Sequence, residues 1–216
     1  MKFAVIGLGS FGSQIARSIS GFGHEVTAID IDKTCIDRIK SDVTVAVSMN
    51  STSKEDLVSI GIQDMDVVVV SLGPALEPSI LTVHYLHELG VKRIVAKALN
   101  EDHAEILESV GATEVVYPER DMAVKTAIKL VHPNVLEYLE VTAGVFIQEI
   151  APPDAFIGKS LKELDLINKH GIQVVAVREL VPERVTFIPR ADFVIKPSDI
   201  LIIIGEEANL SRINGF

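Results

Sequence analysis

Three glycines and one carboxylate carry the clearest chemistry in this sequence of 216 residues. In Gly7-Leu8-Gly9-Ser10-Phe11-Gly12 the glycines follow the G-x-G-x-x-G spacing. That spacing lets a tight turn bring bare backbone against a ligand, while the helix opening near Ser10 aims its free N–H groups and positive dipole end at the same point. A phosphate suits such a place. Asp30 follows about twenty residues on, where a dinucleotide-binding unit needs an acid to accept hydrogen bonds from a ribose diol. A carboxylate there repels a 2′-phosphate, so the pair favours NAD(H) or an adenine nucleotide over NADP(H). Asp32 has the plainer role expected of a helix N-cap.

Glycines alone mark ordinary turns as readily as phosphate sites, so the elements around them decide. Phe3–Ile6 is an apolar, β-favouring run before the turn, and Val26–Ile29 is a second one ending at Asp30. The alternation continues with strands at 44–47, 67–70, 93–96 and 114–116, separated by helices at 33–39, 54–60, 78–89 and 103–110. Short β runs alternating with helices predict an α/β fold, a Rossmann-like doubly wound parallel sheet. Its ligand then lies over the carboxyl ends of the strands, at the switch point between the first and the fourth.

The loops at those ends supply the remaining candidates. Asn50, Ser51 and Thr52 follow the third strand, either as loop and N-cap or as a contact to an adenosine. Ser71, Leu72 and Gly73 end the fourth, where a glycine lets a ribose come close. Lys97 ends the fifth and has the length to reach a phosphate, although a lysine at a strand end is more often simply solvated. His84 and His87 share a helix face with Glu88, but no third ligand or H-E-x-x-H pattern accompanies them, which favours a surface or subunit contact over a metal.

A net charge of -10 repels nucleic acid and anionic bilayers, which excludes both as expected partners. The lone cysteine, Cys35, has no intrachain partner, in keeping with a reducing cytosol. No stretch approaches the roughly twenty apolar residues of a membrane span, and no signal peptide is expected at the N-terminus. Direct membrane insertion is therefore not expected.

Pro118, Glu119, Arg120 and Asp121 lead into a helix at 122–131, closed by Pro133, whose Ala123, Ala127, Ile128 and Val131 form an apolar stripe. The stripe must bury itself against its own sheet or against a second copy. From Val141 the pattern turns to strands at 145–150, 173–177, 184–187 and 200–204, with one short helix at 161–164. The expected domains are residues 1–134, including the crossover helix, and 140–216, a small α+β domain.

GLGSFG, HEVTAIDID, the SLG turn, VAKALN, YPERDMAVK and the terminal PSDILIIIG together resemble the RCK proteins, the KtrA- and TrkA-type regulators of bacterial potassium uptake. The likeness covers nearly the whole chain and favours the single-RCK, KtrA-like form. The resemblance implies an N-terminal RCK domain that binds ATP/ADP or NAD(H), with Gly7, Gly9 and Gly12 at the phosphates, Asp30 at the ribose, Ile31 at the adenine and Asn50–Thr52 at its far edge. It also implies a homodimer paired through the crossover helix, assembled as an octameric ring on a membrane-embedded potassium channel or transporter. The protein would then be cytoplasmic and held peripherally at the inner face of the cell membrane. Glu119 matches an acid that faces the nucleotide or a cation at the dimer interface, or else serves its own helix dipole.

Two positions depart from the family's pattern. Ser10 stands where many KtrA-like sequences place an arginine that senses the terminal phosphate. Ile167, in LDLINKHG, stands where some members carry an arginine for cyclic di-AMP, so that ligand is not expected. The expected role is regulatory and not enzymatic. The alternative, an NAD-dependent oxidoreductase or a soluble redox sensor, needs a proton donor near the nicotinamide, and the C-terminal domain offers one histidine, His170.

Overall fold

The computed structural model describes residues 1–74 and 76–213. Residues 214–216, the end of the expected second domain, lie outside the described residues. The chain forms two compact units, Met1–Arg120 and Asp121–Phe216.

The first unit alternates strand and helix throughout: β1 (Lys2–Ile6), α1 (Ser10–Gly21), β2 (Glu25–Asp30), α2 (Lys33–Ile39), β3 (Val45–Ser48), α3 (Lys54–Ser59), β4 (Val67–Val70), α4 (Leu76–Glu88), β5 (Ile94–Lys97), α5 (Glu101–Ser109) and β6 (Glu114–Val116). α6 (Pro118–Val131) follows and spans the division between units. All pairings are parallel, in the order β3-β2-β1-β4-β5-β6. The order reverses between β1 and β4, as expected of a doubly wound sheet. In register, Ile6 stands beside Ile29 on one side and Val70 on the other, so the three central strands end level.

Both faces of this sheet are buried, which is why its strands read as continuous apolar runs. Alternate residues divide between two cores: Ile6, Val68 and Val70 pack with Leu86, Ile94 and Leu107 on one face. Val5, Ala28 and Val69 pack with Ala16 and Ile39 on the other. A helix layer on each side thus holds the strand ends, and the loops beyond them, in fixed positions.

Three helices, α4, α5 and α6, begin earlier than their apolar periods suggest. α5 starts at Glu101 because the Asn100 side chain caps it, accepting the His103 N–H at 2.8 Å. α6 starts at Pro118, a residue suited to the first helical position because its missing N–H would have no partner there.

The second unit is an antiparallel sheet of β7 (Val135–Thr142), β8 (Val145–Ile150), β9 (Gln173–Leu180), β10 (Glu183–Phe187) and β11 (Asp199–Glu206), with short helices α7 (Leu161–Leu164), α8 (Leu166–His170) and α9 (Glu207–Ile213). Its order is β10-β9-β11-β8-β7. Val135, Phe146, Ile150, Val177, Leu201 and Ile203 form the core with Leu164, Leu166 and Leu210 of the helices. The strand pattern does not predict β7, an edge strand whose apolar residues Val135, Leu136, Tyr138, Leu139 and Val141 do not alternate with polar ones. No helix among the described residues is long and apolar enough to cross a membrane.

Candidate nucleotide-binding site

Residues 7–9 make the reversal from β1 to α1. Gly7 sits at φ +89°, in the left-handed region that side chains avoid. Its N–H donates to the Ile29 carbonyl at 2.8 Å, and the Ser71 N–H donates to the Ile6 carbonyl at 2.7 Å. The backbones are so close that a Cβ on Gly7 would overlap the Ser71 carbonyl oxygen, and one on Gly12 would overlap the Gly7 carbonyl oxygen. Gly9 differs. Its dihedrals suit any residue, and a Cβ there would meet nothing within 4 Å. Gly7 and Gly12 are therefore glycines because protein occupies the space, whereas Gly9 keeps an open space clear above the first turn of α1. That turn carries no acidic residue, so its positive end is left uncompensated.

Asp30 closes β2 directly across from the turn. Its Oδ2 accepts the Leu8 N–H at 2.6 Å and its Oδ1 accepts the Asp32 N–H at 2.8 Å. Two backbone donors thus fix the plane of the carboxylate, leaving each oxygen further lone-pair capacity for a donor from outside. Asp32 caps α2 as expected, accepting the Thr34 N–H at 2.8 Å, and that bond, with a second from the Thr34 hydroxyl, lowers its carboxyl pKa.

Two hollows flank Asp30. One, about 350 Å³, lies between the glycine turn with Ser10 and Phe11, the Ser71–Leu72–Gly73 turn, Lys97 and Glu119. The other, about 310 Å³, lies among Met49, Asn50, Ser51, Thr52 and Pro78 over a floor of Ile6 and Ile29. Asp30, Ile31 and Leu72 border both. Every candidate from the sequence except Gly12 lines one hollow or the other.

Lys97 is not the solvated strand-end lysine that its position suggests. Its side chain is only 13% exposed, and its ammonium is paired with the Glu119 carboxylate at the start of α6. The hydrogen bond from Lys97 is the main reason that the Glu119 carboxyl sits below its usual range. Asn50 forms an Asx turn, its Oδ1 accepting both the N–H and the hydroxyl of Thr52 at 3.0 and 2.8 Å. Ser51 faces inward, its hydroxyl 2.9 Å from that of Thr82. The cap of α3 is Ser53, which accepts the Asp56 N–H at 3.2 Å, so the Asn50–Thr52 stretch is loop and not cap.

Met49 and Pro78 carry no motif and escape sequence inspection; Ile6 and Ile29 were legible as the last apolar residues of adjacent strands. Among the described residues no group of three or more His, Cys, Asp or Glu side chains is placed to hold a metal ion. His84 instead approaches Glu88 at 3.8 Å on the surface of α4.

The family model of the TrkA-N domain matches residues 3–118 and that of the TrkA-C domain residues 145–214. The chain is 40% identical over 211 residues to Ktr system potassium uptake protein C of Bacillus subtilis (strain 168), across 98% of this chain and 95% of the relative. The chain belongs to the family of KtrA- and TrkA-type RCK proteins. Ktr system potassium uptake protein A of the same organism is 34% identical to this RCK chain, over 98% of it and 94% of the relative. The solved GsuK channel bound to NAD covers 100% of this RCK chain at a TM-score of 0.67 and 16% identity, a likeness of fold. This RCK chain spans 39% of that channel's length. Within the RCK chain, Ser10 faces the hollow at the glycine turn. Ile167 borders a separate hollow of about 400 Å³ in the second unit, between α7, α8 and Pro189.

Proposed function

We propose that this RCK chain is the nucleotide-binding regulatory subunit of a membrane potassium channel or transporter, and that it is not an enzyme. The observation that carries the proposal is the Asp30 carboxylate, oriented by two backbone N–H groups beside a glycine turn whose middle glycine keeps open space. The relatives named for potassium uptake, similar along nearly their whole length, supply the context in which such a site would act.

The ligand is an adenine nucleotide, ATP/ADP, or NAD(H). Gly9, Ser10, Phe11 and Gly12 present backbone N–H groups to its phosphates over the turn that Gly7 shapes, and Asp30 accepts from its ribose hydroxyls. Ile31, Leu72 and the Asn50–Thr52 turn flank the base, over the apolar floor of Ile6 and Ile29. Ser71 and Gly73 let the backbone approach, and Lys97 supplies a cation that Glu119 holds in place. The residues present fit such a group, because a Cβ at Gly9 would project into the open space where its phosphates would lie.

Binding acts on the membrane partner only through a difference in affinity between two arrangements of paired chains, typically ~1–3 kcal/mol of coupling. We place the pairing along α6 and the assembly, a ring of dimers, at the cytoplasmic face. Asp30→Ala is expected to weaken ADP and NADH binding by about 1–3 kcal/mol, through loss of charge-assisted hydrogen bonds. Calorimetry returning wild-type affinities in that variant rejects the site. Ion flux through vesicles holding the membrane subunit and this chain, unchanged by ATP, ADP or NADH, rejects the regulatory role.

A further inference from the structure

His103 is buried to 1% exposure in the first turn of α5, and nothing assigned to the candidate site uses it. Its Nε2 lies 2.9 Å from the Ser79 hydroxyl on α4, and its Nδ1 accepts the Leu99 N–H at 3.3 Å. Ser79 donates its own proton to the Leu76 carbonyl at 2.7 Å. One proton arrangement satisfies all of these bonds. Nδ1 must be bare, Nε2 must carry the hydrogen, and the ring must be neutral.

The imidazole therefore ties the first turn of α4 to the loop after β5. Leu99 follows Lys97 by two residues, and Ser79 follows Pro78, which lines the hollow beside Asp30. We infer that His103 is a positioning residue of the nucleotide site, holding the start of α4 beside Pro78 and the loop after Lys97 only while its ring is neutral, so that nucleotide affinity falls in acid. Resting on the proposed nucleotide reading, it adds a proton as a second effector of the same site.

Protonation at Nδ1 would set an N–H against the Leu99 N–H, and one of the two must move away. Burial pulls the His103 pKa below its ordinary value of 6.5 and is the whole cause among the described residues. The charged groups on the packed elements do not add to it: Glu77 on α4 and Glu101, Asp102 and Glu105 on α5 are exposed, and Lys97 on β5 is paired with Glu119. The sign follows. The unfolded chain takes up the proton near 6.5 and the folded chain only below that, so the folded state is fully stable above 6.5 and loses stability as pH falls toward the folded value.

The test is calorimetric titration of the full chain with ADP between about pH 5 and pH 8, on the wild type and on His103→Gln, which keeps a donor toward Ser79 and cannot ionise. The phosphate titration of ADP is common to both proteins and cancels in the comparison. The wild type is expected to lose roughly fivefold more affinity than the variant at the acid end, the worth of one buried hydrogen bond. Superimposable pH profiles overturn the inference. ADP failing to bind the wild type at any pH overturns the nucleotide reading beneath it. Should the variant not fold, imidazole NMR of the wild type decides, because linkage requires ADP to lower the His103 pKa. A His103 pKa unmoved by saturating ADP is the contrary result.

Discussion

At the scale of single residues, the three glycines of one motif answer to different pressures. Gly12→Ala drives a Cβ onto the Gly7 carbonyl, which belongs to backbone and cannot swing aside. Overpacking of that kind is expected to cost about 1–3 kcal/mol of stability in urea unfolding, before any ligand is added. Gly9→Ala is expected to do the reverse. Its dihedrals are ordinary and its surroundings open, so stability should stay within about 0.5 kcal/mol of wild type. ADP binding should weaken, by about 1–3 kcal/mol in calorimetry, because the new methyl fills the space kept for phosphate. A Gly9→Ala protein that binds ADP normally would mean that the open space serves something else. The spacing of the motif is visible in sequence; which glycine faces protein and which faces solvent is not.

Among the elements, α6 is the one the fold leaves unfinished. None of its residues is buried, and Met122, Val124, Leu130 and Val131 are all more than half exposed, Leu130 at 77%. A fourteen-residue amphipathic helix with that much apolar surface needs a cover. The expected cover is α6 of a second copy, since a two-fold interface lets one stripe meet itself. Leu130→Glu should then raise the dimer dissociation constant by more than about tenfold, or ~1.4 kcal/mol, in light scattering against concentration. An unchanged molar mass at every concentration would place the dimer contact elsewhere. The sequence marked the stripe through Ala123, Ala127, Ile128 and Val131; in the structure Ile128 packs against the core of the second unit, which leaves the exposed set shifted to the residues above.

For the whole molecule, two compact units with separate cores predict two separable unfolding transitions, of which only one should respond to nucleotide. ADP at about 100 times its dissociation constant should stabilise the first unit by about 2.7 kcal/mol and leave the second unmoved. Scanning calorimetry with and without ADP reads this directly. A shift confined to the transition of the second unit would move the site away from the glycine turn.

What the chain determined by itself was whatever depends on local pattern. Parallel strands buried on both faces must be apolar runs, and a phosphate turn must be built of glycines at fixed spacing, so the doubly wound sheet, the turn and Asp30 were all legible in the residues. Edge strand β7 was not, because its apolar residues do not alternate with polar ones along the strand. Nor was the fate of Lys97, Ser51 and His103 legible, since each depends on a partner far along the chain: Glu119, Thr82 and Ser79. Periodicity reports which side of an element faces inward, but the partner of a polar side chain is set by which strands become neighbours. Only the folded sheet order brings those atoms within hydrogen-bonding distance.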